Sequence, residues 1–563
     1  MKTNALSFLV AAISIATSSL ATSSYAQDSR YYTHGTKKIE LPTVQLPSFK
    51  NDTLSITKYG AVNDGSTLNT ASINRTIEEL SKKGGGVVLI PRGLWLTGPI
   101  ELKSNINLHL QRDAMLLFTS DLSQYKLVKT NWEGLDAYRN QSPISGSNLE
   151  NIAITGYGII DGNGDAWRMV KKDKLSESNW KKLLASGGVL SEDKKIWYPT
   201  QQSLAGSKVT RPGVVAEGRS LADHESVKDF LRPNLLVLAN CKKILLEGVT
   251  FQNSPAWNVH PLMSEDLTVR NIQVKNPWYA QNGDGIDIES CKNVLIENSV
   301  FDVGDDGLCI KSGRDEEGRK RAMPTENVII KNCVVYAAHG GFVVGSEMSG
   351  GARNIFVSDC TFVGTDIGLR FKTTRGRGGV VENIYIKNIN MKNIVGEAIL
   401  FDMYYAAIDP IAMAGEKRAA PKTEMIPVSE STPQFKNIYI DNVVCNGADK
   451  AIFVRGLPEM SIKNINLSNI IVKANKGIDI QEGENITLKN ISIDVPKADP
   501  LVFIQHSRNV VFDGLKYIGN PALLFSIYGE RSKDIQVLNT NTKNAAQQVQ
   551  FDYGADKKVF KVK

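Results

Sequence analysis

Beyond its first 26 residues, the 563-residue chain has no apolar run approaching the roughly 18 to 20 residues a membrane span needs, which excludes a helical membrane protein. Aromatic residues are scarce at 7%, but 42% apolar and 22% charged residues are ordinary globular proportions, so disorder, collagen and coiled coil are excluded for the chain as a whole. Charge of one sign is also scarce. The 66 Lys and Arg against 59 Asp and Glu leave +7, a dispersed excess too weak to imply nucleic acid, while an acidic substrate stays open. Cysteine is limited to six residues, too few for a dense disulfide scaffold.

Met1 to Ala26 has the layout of a cleaved secretory signal: Lys2 near the start, an apolar stretch from Leu6 to Ala16, and small residues ending at Ser24-Tyr25-Ala26. The mature chain is expected to begin near Gln27, with no Cys there to carry a lipid. A soluble, exported protein of the periplasm or the extracellular space is expected.

One pattern recurs through the second half: Asn, apolar, any, apolar, any, Asn. It stands at Asn293-Val-Leu-Ile-Glu-Asn298, Asn327 to Asn332, Asn383 to Asn388, Asn437 to Asn442, Asn464 to Asn469 and Asn485 to Asn490, with looser copies starting at Lys243, Asp266, Asn354, Asn509 and Asp534. Most starts lie 21 to 34 residues apart, and the gap of 54 between Asn383 and Asn437 reads as two turns of 27 with one copy degraded. A period near 25 with strand alternation means a solenoid. Within a copy the residues one, three, six and eight places after the start are apolar, as in Ile384, Ile386, Ile389 and Met391. Two short strands joined by a bend point inward, and the Asn between them suits a stacked polar turn. The pattern predicts a parallel β-helix, each coil adding about 4.8 Å along the axis.

Thr70 to Lys82 reads as an amphipathic helix with Thr70 as its cap, followed by Gly84-Gly85-Gly86 and a strand to Ile90; it is expected to cover the N-terminal end of the solenoid. The expected layout is a signal at 1–26, an extension at 27–53 and one β-helix domain at 54–563. The repeat is interrupted by an insertion at about 161–232, where Trp167 to Leu184 looks helical, and by a second at about 406–433. Cys333, Cys360 and Cys445 fall at inward positions, so they read as buried thiols. Cys333 and Cys360 would stack on adjacent coils, which leaves a bridge between them open.

Four segments align on a shared Gly: 283–289 (GDGIDIE), 305–311 (DDGLCIK), 339–345 (HGGFVVG) and 366–372 (DIGLRFK). With Gly285, Gly307, Gly341 and Gly368 in one column, the residues one and three places later are apolar in every row and face the core. Those two and four places later face outward, which brings Arg370 and Lys372 together on the outer surface. Asp284 and Asp306 share the column before the Gly, and Asp305 and His339 the one before that. An Asp ahead of a turn Gly is common for backbone reasons alone; three of them in register with an imidazole and two cations point to chemistry. Hydrolysis of a glycosidic bond beside an acidic sugar fits: inverting hydrolysis needs a protonated carboxyl and a second carboxylate about 6.5 to 9.5 Å away, and one coil of offset with side-chain splay can supply that gap.

The ordered set NGDGID (282–287), GDDG (304–307), HG (339–340) and RFK (370–372) resembles the signature of the polygalacturonase-like glycoside hydrolases, the pectinases of family 28. The similarity runs from about Leu54 to Val537. The resemblance implies an inverting, metal-independent hydrolase of α-1,4-linked galacturonides that needs no cofactor, built on a right-handed parallel β-helix. It implies Asp305 as general acid, Asp284 and Asp306 as the residues that hold and activate water, and His339 as the group that tunes the acid. Asn282, Arg370 and Lys372 would bind substrate, together with Tyr404 or Tyr405. Gly283, Ala338 and Phe371 depart from the most familiar form of the motifs without removing a chemical group. The insertion at 161–232 resembles exo-acting members, in which added loops close one end of the cleft. The expected partner is a pectic polysaccharide or galacturonate oligosaccharide, and the expected state a monomer. Other readings of the same features are a rhamnogalacturonan hydrolase, a calcium-dependent pectate lyase and a non-catalytic carbohydrate-binding solenoid.

Overall fold

The Asn residues that open the repeats adopt left-handed backbone, with φ of 57° at Asn293, 60° at Asn327 and 56° at Asn354, Asn383 and Asn464. Short amide side chains tolerate that region, and here each also bonds the next coil. Nδ2 of Asn327 donates to Oδ1 of Asn293 at 3.2 Å, Asn354 to Asn327 at 3.2 Å, and Asn485 to Asn464 at 3.0 Å. The second Asn of the repeat builds a parallel ladder, Asn332 to Asn298 at 3.2 Å and Asn490 to Asn469 at 3.1 Å. In-register stacking of the inward apolar residues follows. Ile384, Ile386, Ile389 and Met391 lie opposite Ile438, Ile440, Val443 and Cys445, all buried.

The computed structural model describes residues 30–34, 37–405, 424–496 and 498–563. The expected signal segment lies outside the described residues, as does 406–423 of the second insertion. The chain divides into two units. In Met1–Leu41 the described part is an antiparallel hairpin pairing Tyr31–His34 with Lys37–Glu40. Pro42–Lys563 is a right-handed parallel β-helix, with one face formed by a 14-stranded parallel sheet.

Helix α1, Thr70–Lys82, buries Ile73, Ile77 and Leu80 in the solenoid core. Thr70 is its first helical residue and not its cap; Asn69 holds that position, and the Thr70 hydroxyl accepts the Gly98 N–H at 2.6 Å. An antiparallel hairpin, β1 (Leu127–Trp132) and β2 (Leu135–Asn140), stands outside the coils. Glu150–Gly156 pairs directly with Lys242–Glu247, and the chain between includes its own small sheet and helices α2 (Glu177–Ala185) and α3 (Gln201–Ser207). The helix expected over Trp167 to Leu184 begins only at Glu177, where the Ser176 hydroxyl accepts the Asn179 N–H; Val170–Lys171 is strand because it pairs with Ile196–Trp197. The 54-residue gap is likewise not two coils. The Asn383 and Asn437 strands pair with each other, so the gap is one coil carrying a long excursion.

The functional face is the outer side of the 14-stranded sheet, along β3 (Val259–Leu262), β4 (Ile286–Glu289), β5 (Asp306–Lys311), β6 (Gly340–Val344), β7 (Ile367–Lys372) and β8 (Glu397–Asp402). Between β5 and β6 lies helix α4, Asp315–Arg321. Ile286 lies opposite Leu308, Leu308 opposite Phe342, and Phe342 opposite Leu369, which places the four glycines in one column. All six cysteines are free and buried, Cys333 and Cys360 included. Among the described residues no helix is long and apolar enough to cross a membrane.

Candidate active site

Small residues make the site possible. A Cβ on Gly285 would meet the Gly307 carbonyl oxygen at 2.5 Å, and one on Gly307 would meet Val335 at 2.4 Å, so the coils close up only where the column is glycine. That packing brings the preceding acids together: Asp284, Asp305 and Asp306 each present an oxygen within 4.8 Å of the other two. Three such oxygens also have the spacing to hold a cation.

The cluster is less exposed than an outer surface suggests. Asp284 and Asp306 are only 2% and 1% exposed, and Lys372 6%. Asp305 is the member open to the cleft, with 21% of its side chain exposed. The Asp306 N–H donates to Asp305 Oδ1 at 3.0 Å, and His339 Nδ1 lies 3.2 Å from the same oxygen. His339 Nε2 is 3.8 Å from Asp366.

Arg370 and Lys372 do come together, but their direct partner is a carboxylate of the protein. Lys372 Nζ is 2.7 Å from Asp306 Oδ2 and Arg370 Nη1 is 3.3 Å from Asp306 Oδ1. No described residue accepts a bond from the buried Arg370 Nε. The two tyrosines separate: Tyr405 lies beside this pair, 5.6 Å from the Arg370 guanidinium and 5.0 Å from Lys372 Nζ, whereas Tyr404 faces Arg375 and Arg455. Asn282, also in left-handed backbone, accepts a bond from Arg232 Nη2 at 2.9 Å.

Charge is divided unevenly over the cluster. Burial, reinforced by the charges of Asp287 and Asp305, pushes Asp284 well above the usual carboxylate range. Burial acts on Asp305 in the same direction, but the His339 imidazolium and then Lys372 and Arg370 outweigh it and hold Asp305 below that range. His339 is raised in return, chiefly by Asp305. Burial and Arg370 depress Lys372, yet the Asp306 carboxylate prevails and keeps its ammonium charged.

Several further residues shape the site. A cavity of about 440 Å³ adjoins Asn282, walled by Trp132, Glu133 and Arg139 of the hairpin and by Met169 and Arg232 of the insertion. Arg314 holds the hairpin tip: its N–H donates to the Gly134 carbonyl at 3.2 Å and its Nη1 to Glu133 Oε2 at 3.2 Å. Nothing periodic marks these positions in the sequence. Asp287 and Lys311, by contrast, fall in the outward columns that the glycine alignment defines.

A family model described as "Glycosyl hydrolases family 28" matches residues 192–419. The chain is 30% identical over 428 residues to a "Probable polygalacturonase" of Vitis vinifera, covering 74% of each. It is 28% identical over 367 residues to an "Exo-poly-alpha-D-galacturonosidase" of Dickeya chrysanthemi, covering 63% of this chain and 57% of that one. Among solved structures it is similar to a hyperthermoactive exopolygalacturonase from Thermotoga maritima, with a TM-score of 0.63 and 31% identity over 80% of this chain and 93% of the other.

Proposed function

The chain belongs to the glycosyl hydrolases of family 28, and from that membership we propose that it hydrolyses α-1,4-linked galacturonic acid in pectic chains, removing terminal units with inversion. The observation that carries this reading is the contact of Asp284, Asp305 and Asp306 with one another, with His339 on Asp305 and Lys372 and Arg370 on Asp306. Asp305 faces the cleft and delivers a proton to the glycosidic oxygen as the bond to the anomeric carbon breaks. His339 supplies that proton store. A water gripped by Asp306 and Asp284 attacks the anomeric carbon and gives its proton to the Asp306 carboxylate, so one proton enters the site as one leaves. The anomeric form of the first product, read by proton NMR, tests inversion.

The partly exposed Arg370 guanidinium and the Tyr405 ring offer a galacturonate carboxylate a cation and a flat wall. Terminal attack is supported by the cavity beside Asn282, which the hairpin and insertion enclose, and by the exo-acting relatives. In this reading residues 1–26 direct export and the protein acts as a monomer.

The test is a product profile on polygalacturonate and short galacturonate oligomers in chelator, following saccharide size and ultraviolet absorbance together. Monomer from the outset, without new absorbance, is expected. An absorbing, unsaturated product that needs calcium would establish a lyase instead. Absence of any cleavage would turn attention to branched rhamnogalacturonan fragments or to binding alone.

A further inference from the structure

Behind the triad lies a second set of charged groups that the proposed reaction does not use. Asp287, on β4, is fully buried, and neither of its carboxylate oxygens accepts a hydrogen bond among the described residues. The nearest cation is Lys311 of β5, whose Nζ stands 3.6 Å from Asp287 Oδ1, beyond hydrogen-bond length. That ammonium is committed elsewhere: it donates to Glu347 Oε2 at 3.0 Å and lies 4.6 Å from the Trp257 ring centroid. Glu347 also receives the Ser346 hydroxyl at 2.9 Å and has Arg377 at 3.9 Å.

The groups facing Asp287 are mostly acidic. On its own segment these are Asp284 and Glu289; from the following coil, Asp305, Asp306, the Cys309 thiol opposite it in register, and Lys311. On the preceding coil the register Val259–Ile286 sets His260 opposite, but the imidazole bonds Glu289 at 2.9 Å and Asn234 at 3.1 Å. Glu289 is further matched by Arg321 at 2.6 Å. Every other carboxylate in this layer has a hydrogen-bonding cation or a face to the cleft, apart from Asp284 and Asp287. A buried carboxylate without a donor is several kcal/mol less stable than its neutral acid, by general estimates for buried charges.

We propose that Asp287 is a protonated, neutral carboxylic acid in the resting protein, a positioning residue that keeps an uncompensated negative charge from the rear of a cleft built to receive a polyanion. Burial, more than the opposing Lys311 charge, pushes its titration up to about 8. Below that pH the acid is neutral and Lys311 stays with Glu347. Above it a new negative charge stands beside Asp284, and the acidic sugar is repelled.

This inference rests on the galacturonide reading, so its test has one arm that needs no substrate. An infrared difference spectrum of wild type against Asp287→Asn should contain a protonated-carboxyl band at pH 6.5 that fades as pH rises through about 8. Its absence at pH 6.5 overturns the proposal whether or not the protein cleaves galacturonides. In the second arm, KM of the wild type for a short galacturonate oligomer should rise at least threefold between pH 7 and pH 9, beyond any change in kcat. Asp287→Asn, neutral at every pH, should hold KM flat over that interval and keep kcat at pH 6 within about threefold. A wild-type KM that does not respond to pH overturns the proposal without recourse to the variant, and so does a folded Asp287→Asn whose KM rises in parallel with wild type.

Discussion

A proton shared between Asp305 and His339 gives the site a pH window with two edges. Asp305 is held low, so its half of the pair contributes stability above the ordinary carboxylate value near 4 and loses it as pH falls through the depressed value. His339 is held high; its contribution is complete below the ordinary imidazole value near 6.5 and disappears as pH rises through the raised one. The melting temperature of His339→Gln should therefore fall short of wild type most clearly between about pH 4.5 and 6.5, and the two curves should converge on the alkaline side. A difference that is largest at pH 9 would show that the imidazole packs without charge. With 46% of the His339 side chain exposed, the effect should be small and weaken in salt. Replacement of the acid separates chemistry from fold. Asp305→Asn should lower kcat by about 10²- to 10⁴-fold, the range of general acid catalysis, while oligomer binding by calorimetry and the melting temperature stay close to wild type. Retained turnover would move the acid to Asp284, the other carboxyl in the cluster with reason to carry a proton.

At the scale of the coil, the Asn columns do two jobs that substitution can separate. Each Asn accepts left-handed backbone, and each bonds its counterparts on neighbouring coils. Asn464→Gly keeps the first and loses the second, whereas Asn464→Ala loses both, with about 1–2 kcal/mol for a Cβ in that backbone region. Denaturation should rank wild type above Gly and Gly above Ala; equal Gly and Ala variants would leave the amide ladder as the sole contribution. The same columns explain why so much of the coil could be read in the sequence. A residue type that serves two geometric demands recurs at a fixed offset, and the inward residues between follow a period of two. The glycine column was legible for the same reason, and with it the meeting of Asp284, Asp305, Asp306, His339, Arg370 and Lys372. Legibility ended where periodicity did. The pairing of the Asn383 strand with the Asn437 strand overturns the two-coil reading because spacing counts residues and cannot tell a coil from an excursion. That Asp306, and not only a sugar, engages Lys372 depends on side-chain reach across two coils, which no column records.

For the whole molecule, the decisive element is one that no repeat announces. The β1–β2 hairpin lines two different cavities of about 440 Å³ each: Trp132, Glu133, Leu135 and Arg139 the one beside Asn282, and residues 128–131, Asp136 and Asn140 one nearer the N-terminal coils. The second cavity lies on the same outer sheet face, over Ser145, Val237 and Leu262. The hairpin is thus a partition across what would otherwise be a single groove along the solenoid axis, and its tip is fixed by Arg314 and by Glu317, which accepts the Asp136 N–H at 2.9 Å. In the terminal-attack reading proposed above, a partition at that place stops a polymer from lying through the site and admits only an end. Replacing residues 131–136 with a two-residue turn preserves the Thr130–Ala137 pair and removes the wall. The shortened protein should release dimers and longer oligomers from polygalacturonate at early times, with the monomer rate falling several-fold, where wild type is expected to release monomer alone. Arg314→Ala, which only loosens the tip, should give a smaller admixture of the same products. If the shortened hairpin still yields monomer alone, the insertion at 161–232 sets the end of the cleft without it, and Arg232 and Met169 become the residues to replace next.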